Sequence, residues 1–527
     1  MTGVDTALLV LALTLGAAIG ARRLRTPMPV VLAAAGIALG AAWRLVPGLP
    51  PVTVPADRVL LVFLPPLLTT AAYALPLGAF RRNLRPILLL AVGLVLATMA
   101  ATAVVAHHLA ALPWAVAFVL GAIVAPPDPV AATSVARQTG LPHRLVVILE
   151  GEGLVNDAIA IVAYRLAVDA VVTGQFSWAG AALAVAREAP TGVLVGLAIG
   201  WAVTRLRRSL DEVTLEAGIS LLVPYVAYHV ADRVGASGVL AVVTLGFMLR
   251  RHATAIGTPA ARLAARTIWN AIRFASTALV FLLLGLLVGE IAVAELSASL
   301  LLAGAAVAGT VIGLRLLWMF VVPRVTRLFA GERRQPTSSR AELTVLGWAG
   351  MRGVVSLALA LALPAFPGPG GGAARRAVVL ITFAVIVATL VLQGATLLPL
   401  VARLGAGDPE RERRDERRVR ARARRAGLAA LARLGQTDAS QAGACRLLAP
   451  RVNDGTVGIA AAGGTGWPRE LSRSVTEVLG AQRAVVERMR DGDRIGETLA
   501  ERLETELDVD AMSARGAAGR LTEDVGG

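Results

Sequence analysis

Residues 125–165 read APPDPVAATSVARQTGLPHRLVVILEGEGLVNDAIAIVAYR. Pro126, Pro127 and Pro129 crowd into an apolar run that begins at Pro113. Each proline removes a backbone donor and clashes with the preceding turn, so no continuous α-helix passes this point. Asp128 sits inside the break, roughly 13 Å from the cytoplasmic end if the second half rises helically. The run then resumes as an apolar helix that carries Glu150, Glu152, Asn156 and Asp157. Glu152 and Asn156 share one face at i, i+4, and Glu150 and Asp157 share another at i, i+7. Asp157 lies about 20 Å from Arg144, near mid-membrane.

The surrounding chain says why a membrane is the right frame. Of 527 residues, 56% are apolar and 17% charged, against about 45–50% and about 25% for soluble domains. The apolar excess ends near Val401, and the remainder is polar. Thirteen stretches are apolar over lengths that suit spanning helices: 6–21, 28–46, 58–75, 86–106, 113–136, 145–168, 190–204, 213–231, 236–249, 267–289, 296–322, 341–364 and 377–401. The expected fold is therefore all-α and polytopic, with a membrane domain at 1–402 and a helical cytoplasmic tail at 403–527.

The net charge of +16 resembles a nucleic-acid signature until its placement is considered. All 52 basic residues are arginine, and they concentrate in alternate loops, as at Arg22, Arg23 and Arg25, at Arg81, Arg82 and Arg85, and at Arg205, Arg207 and Arg208. This is the positive-inside pattern. It places the N-terminus outside, the tail inside, and the protein in the inner (plasma) membrane, with no call for nucleic acid. Arginines after the first span, and none before it, argue for an anchor over a cleaved signal peptide. A single cysteine, Cys445, excludes a disulfide scaffold and a cysteine-built metal site. No cofactor is expected.

An ionisable group at bilayer depth costs at least about 2.5–3.5 kcal/mol, so each such group requires a partner or a task. The late stretch GWAGMRGVVSLALALALP (347–364) places Arg352 about 18 Å deep between two helix-weakening glycines, Gly350 and Gly353. Glu152 is its inferred partner, in a pair that is architectural rather than chemical. Arg273 and Arg315, within about 10 Å of the cytoplasmic face, are expected to snorkel. In FLPPLLTTAAY (63–73), Thr69 and Thr70 are expected to bond carbonyls freed by the prolines, with a cavity-facing role as the alternative.

Two interrupted helices, one in each half of the chain, are a recurrent transporter device in which half-helix ends and unwound carbonyls line a midplane site. Asp128 and Asp157 add oxygen and negative charge, which suits a small hard cation such as Na⁺ or Li⁺, with K⁺ as the alternative. A desolvated carboxylate beside another holds its proton more tightly, so proton and cation compete for the same oxygens. A site that reorients only when filled then exchanges one for the other. The bland alternatives are that Asp128 merely caps the second half-helix and that Asp157 is a protonated core residue.

These motifs resemble the NhaP-type branch of the monovalent cation:proton antiporter family, close to bacterial sodium/proton exchangers, over residues 5–402. The resemblance implies inverted repeats, crossed discontinuous helices, a separate dimerisation part, a homodimer, and electroneutral exchange of one Na⁺ for one H⁺ by elevator-like alternating access. It assigns ion binding to Asp128 and Asp157, organisation of the broken helices to Asn156, and a structural ion pair to Glu152 and Arg352. The chain departs from that pattern at Gly153, where many relatives carry serine, and at Thr70 and Pro127. Rival readings are an intramembrane aspartyl protease, which needs two membrane aspartates but resembles a family with a GxGD signature absent around Asp128 and Asp157, and a uniport channel. In the tail, ERERRDERRVRARARR (410–425) reads as a helix beside anionic lipid, 452–468 as loop, and 469–508 as part of a small bundle or a dimer contact.

Overall fold

A computed structural model describes residues 28–45, 56–129 apart from 76, and 139–524 apart from 210–211, 253–257, 296, 330–338, 454–468 and 493; of 1–27 and 130–138 it describes scattered positions only. The expected first span, 6–21, thus lies almost wholly outside the described residues, as does most of the expected loop at 452–468. Every regular element among the described residues is helical. They are α1 (Met28–Leu45), α2 (Ala56–Ala74), α3 (Leu77–Arg82), α4 (Leu84–Ala110), α5 (Trp114–Val124), α6 (His143–Thr173), α7 (Trp178–Arg207), α8 (Val213–Arg233), α9 (Gly238–His252), α10 (Pro259–Glu295) and α11 (Ala298–Phe329). After these come α12 (Arg340–Trp348), α13 (Val354–Leu361) and α14 (Gly371–Leu404), then α15 (Pro409–Thr437), α16 (Ala442–Asn453), α17 (Arg469–Asp491) and α18 (Glu497–Asp524).

Six of the described helices are long and apolar enough to cross a membrane, within α4, α7, α8, α10, α11 and α14. Shorter apolar segments lie in α1, α2 and α5. α6 is longer than most of these, but its four carboxylates, Glu150, Glu152, Asp157 and Asp169, dilute its hydropathy. The chain stops and starts these helices by ordinary means. Ser339 and Glu342 form a reciprocal capping box at the start of α12, and Gly174 ends α6 in the left-handed region at φ +70°.

The membrane helices pack in two groups. In one, α1 lies along α10, α9 along α7 and α2, and α8 against α7, α9 and α10. Gly36, Gly285 and Gly289 let α1 and α10 approach until the backbones touch, since a Cβ at any of them would overlap the facing carbonyls. In the other group, α4 packs on α5 and α11, α5 on α6, and α14 on α11 and α13. The two halves of each interrupted helix belong to this second group. α13 and α14 meet α10, and α13 also meets α2, across the boundary.

The polar tail builds its own apolar core from Val419, Leu431, Leu448, Val475, Val478, Met489, Leu499 and Leu503. The arginine-rich start of α15 is partly self-neutralised, because Arg413 reaches Glu410 at 3.0 Å, and Arg420 reaches Glu416 at 2.9 Å and Glu506 of α18 at 2.9 Å. Asp510, four residues beyond Glu506, is buried there. Burial, reinforced by the Glu506 charge, pushes its carboxyl up to about 7. The folded bundle therefore favours the protonated acid, and the cost of ionising Asp510 grows as pH rises from about 4 to about 7. Amide exchange of α18 in the full-length protein is expected to be faster at pH 8 than at pH 5.5 after correction for the intrinsic rate. Asp510→Asn removes most of that difference; an unchanged difference would refute the assignment.

Candidate functional site

The first interruption is built as the prolines require. α5 ends at Val124, with the Ala125 N–H still bonded to the Gly121 carbonyl at 2.9 Å, and residues 126–128 are not helical before helix resumes at Pro129. The second is a complete break that two glycines only hinted at: α12 stops at Trp348, and α13 starts at Val354. These unwound segments lie against each other and satisfy one another's backbone. The Asp128 N–H donates to the Met351 carbonyl at 2.7 Å. Arg352 Nη1 donates to the Ala125 carbonyl, also at 2.7 Å. Asp128 Oδ2 accepts from the Val354 N–H at 3.2 Å, so this carboxylate caps α13, where helix N–H groups and the dipole favour negative charge. The Arg352 N–H donates to Thr389 Oγ1 of α14 at 3.1 Å, tying the crossing to a third helix.

Glycine at 353 is needed for close approach, since a Cβ there would overlap the Asp128 carboxylate. Gly153 answers the same demand from α6, because a Cβ would lie 2.5 Å from the Pro129 ring. A serine side chain at 153 would meet the Pro129 ring in this arrangement. Pro127 is buried in the break.

Asp157 projects from α6 near enough to Asp128 for the two carboxylates to interact electrostatically. Both are partly exposed. Asn156 beside it is 0% exposed, and neither end of its amide bonds to any described residue. The linking bonds expected of Asn156 are made instead by Asp128 and Arg352. The Ser356 hydroxyl of α13 is likewise buried without a hydrogen-bond partner among the described residues. Buried polar groups left without partners among the described residues call for a reason, and oxygens are the atoms a hard cation binds.

The expected Glu152–Arg352 pair is corrected by the structure. Glu152 is held by Arg315 of α11, whose Nη2 donates to Oε2 at 2.8 Å while Nη1 bonds Oε1. Both residues are 1% exposed. Arg315 Nε also donates to the Leu346 carbonyl at 3.2 Å. Arg315 therefore does not snorkel. α11 continues to Phe329, past the expected end at 322, which puts Arg315 deeper than its position in the sequence implied. Gly350 opens the path, because a Cβ there would overlap the Arg315 side chain. Arg352, spared from that pairing, is free to brace Ala125.

The threonines of α2 take the first of the two roles considered. Thr69 Oγ1 donates to the Pro65 carbonyl at 2.7 Å and Thr70 Oγ1 to that of Leu67 at 2.9 Å, so the helix persists through Pro65 and Pro66. Sequence reading missed three contributors. Arg315 and Thr389 have been described; the third is Tyr164, whose hydroxyl donates to the Ala362 carbonyl at 2.8 Å and fixes α6 to the end of α13. Lone polar residues in apolar helices, Thr389 and Tyr164 carried no pattern that would select them.

Comparison with known proteins places this geometry in context. Residues 9–403 match the family described as sodium/hydrogen exchanger, transmembrane. The Na(+)/H(+) antiporter NhaH of Halobacillus dabanensis is 30% identical over 414 residues, which is 76% of this chain and 97% of that protein. The Na(+)/H(+) antiporter ApNhaP of Aphanothece halophytica is 31% identical, over 68% of this chain and 67% of its own. In fold, the chain is similar to the sodium proton antiporter MjNhaP1 of Methanocaldococcus jannaschii at pH 8, with a TM-score of 0.60, 20% identity, and coverage of 77% and 99% of the two chains. With its crossed interruptions and paired aspartates, the chain belongs to the transmembrane sodium/hydrogen exchanger family.

Proposed function

We propose that Asp128 and Asp157 are the shared carrier of this transporter, binding either Na⁺ or H⁺ and moving it by alternating access. As a member of its family the protein is a multi-pass membrane antiporter exchanging Na⁺ for H⁺, and not an enzyme. The observation that carries the site reading is the meeting of the Asp128 carboxylate, at the N-terminus of α13, with the charge of Asp157 from α6.

Two carboxylates that repel each other cannot both stay ionised in a poorly solvated site without a counter-charge. A proton on Asp157 relieves that repulsion, and so does a cation between the two. In this reading Asn156 supplies an amide oxygen, and the unwound carbonyls of the break, set by Pro127, complete the oxygen shell. Gly153 keeps the Pro129 turn close to α6, and Thr70 steadies α2 beside its prolines by bonding the Leu67 carbonyl. Exchange of one Na⁺ for one H⁺ moves no net charge and is electroneutral; Li⁺ is accepted by the same oxygens. Glu152 and Arg315 form the structural ion pair beneath the site, and Arg352 braces the crossing.

The finer arrangement follows the same reading: a membrane domain at 1–402, a cytoplasmic domain at 403–527, the N-terminus outside, the plasma membrane as location, and a homodimer as the assembly. Exposed arginines of α15, among them Arg417 and Arg418, would lie beside anionic lipid.

Three outcomes test this. In everted vesicles, Na⁺-induced collapse of a preset ΔpH is expected to fall to background in Asp157→Asn and Asp128→Asn; undiminished exchange in Asp157→Asn would eliminate the shared-carrier reading. Gly353→Ala is expected to abolish exchange as well, because the new methyl displaces the Asp128 carboxylate, and wild-type activity there would refute the close approach. Arg315→Ala and Glu152→Ala should each lower stability by about 3–5 kcal/mol, because each leaves a buried charge unpaired, while the Arg315→Ala/Glu152→Ala double variant loses less than the two single losses combined. Thermal unfolding in detergent measures this, and strictly additive losses would contradict the pairing.

A further inference from the structure

The tail bundle is fastened to the membrane helices at two places, and these belong to different helix groups. The first contact is ionic. Glu504 and Asp508, one turn apart on α18 and both buried, face the cytoplasmic ends of α9 and α10. Asp508 accepts from Arg262 Nε at 3.1 Å and again from its Nη2, and also bonds Arg483 of α17. Glu504 accepts from Arg266 Nη2 at 3.1 Å and from Arg490, with Arg250 Nη1 at 3.8 Å. Arg266 also donates to the Glu501 carbonyl at 3.0 Å. Arg250 lies over the Tyr73 ring of α2, 5.4 Å from its centroid.

The second contact is made by backbone. The Asp491 carbonyl at the end of α17 accepts from Arg82 Nη1 of α3 at 3.0 Å, and α3 packs on α6. The Asp408 N–H donates to the Gly140 carbonyl at 3.0 Å. Gly496 sits 3.5 Å from His143 Nδ1, measured from where its Cβ would be. Gly140 lies in the connection between the first interrupted helix and α6, and His143 opens α6; these are the two elements that carry Asp128 and Asp157.

Transporters built on crossed interrupted helices give alternating access by moving one helix group against another. A body attached to both groups resists that motion unless one attachment yields. The ionic contact is the one suited to yield. Arginine–carboxylate bonds are about twice as strong as neutral ones, but here five guanidiniums surround two carboxylates, so neutralising either acid leaves like charges facing each other across the interface. We propose that the tail bundle is a restraining clamp across the two helix groups, and that releasing Glu504 and Asp508 from Arg250, Arg262 and Arg266 speeds exchange. The inference rests on the alternating-access reading given above.

Full-length protein in everted vesicles tests it, with the wild type exchanging Na⁺ for H⁺ in the same preparation so that transport and clamping are judged separately. Glu504→Gln/Asp508→Asn is expected to exchange several-fold faster than wild type at saturating Na⁺. A second variant, Arg262→Cys/Asp508→Cys with Cys445→Ser, is expected to be equally fast when unlinked and to fall to the wild-type rate or below when a short bis-maleimide joins the two cysteines. Misfolding can only lower the rate, so a gain reports release of the clamp. Rates at or below wild type in both unlinked variants, or a rate that linkage leaves unchanged, would overturn the proposal.

Discussion

The mutual satisfaction of two interrupted backbones is the constraint on which the rest of the structure depends. Open peptide groups in a membrane have no water to bond, so unwound backbone persists there only where protein or a wet cavity satisfies it. Here each break serves the other. Met351 accepts from the Asp128 N–H, Ala125 accepts from Arg352, and Asp128 caps α13. The carboxylate at the heart of the site is thus also a structural cap, and the two readings of Asp128 that the sequence left open are compatible.

The crossing needs support because it lacks regular hydrogen bonding, and it receives that support from buried charge. Arg315 grips Glu152 with both terminal nitrogens and joins α11 to α6. Arg352, relieved of that task, joins the breaks, and Thr389 and Tyr164 tie them to α14 and α6. Glycines at 153, 350 and 353 are the steric counterpart, each standing where another group fills the space of a side chain. The crossing is thus assembled from mutually dependent parts, in which each buried group holds another in place.

Much of this was legible in the residues, for physical reasons. Prolines forbid a helix, so the break around Asp128 follows from the residues alone. Carboxylates in an apolar helix demand explanation, so Glu152 and Asp157 stood out as well. Periodicity and length anticipated most of the membrane helices, though not α3 or the early start of α7 at Trp178, and a helical pattern anticipated the helical tail. What sequence could not resolve was partner choice. Depth was counted along one helix at a time, and α11 proved longer than its apolar core, so Arg315 was assigned to the surface and Glu152 to the wrong arginine. The completeness of the second break was also hidden, because glycine only weakens a helix where proline stops it. The docking of Glu504 and Asp508 on Arg262 and Arg266 joins residues more than 230 positions apart, and no local pattern announces such a contact.

The central claim is that cation and proton compete for one pair of carboxylates. Proton release on ion binding tests it most directly: Na⁺ is added to detergent-purified protein in weakly buffered solution near neutral pH, and the protons liberated are counted against the ions bound. One proton released per Na⁺ bound, with no release from Asp157→Asn, is the predicted result. Binding of Na⁺ with no proton released across the pH range of activity would contradict the account.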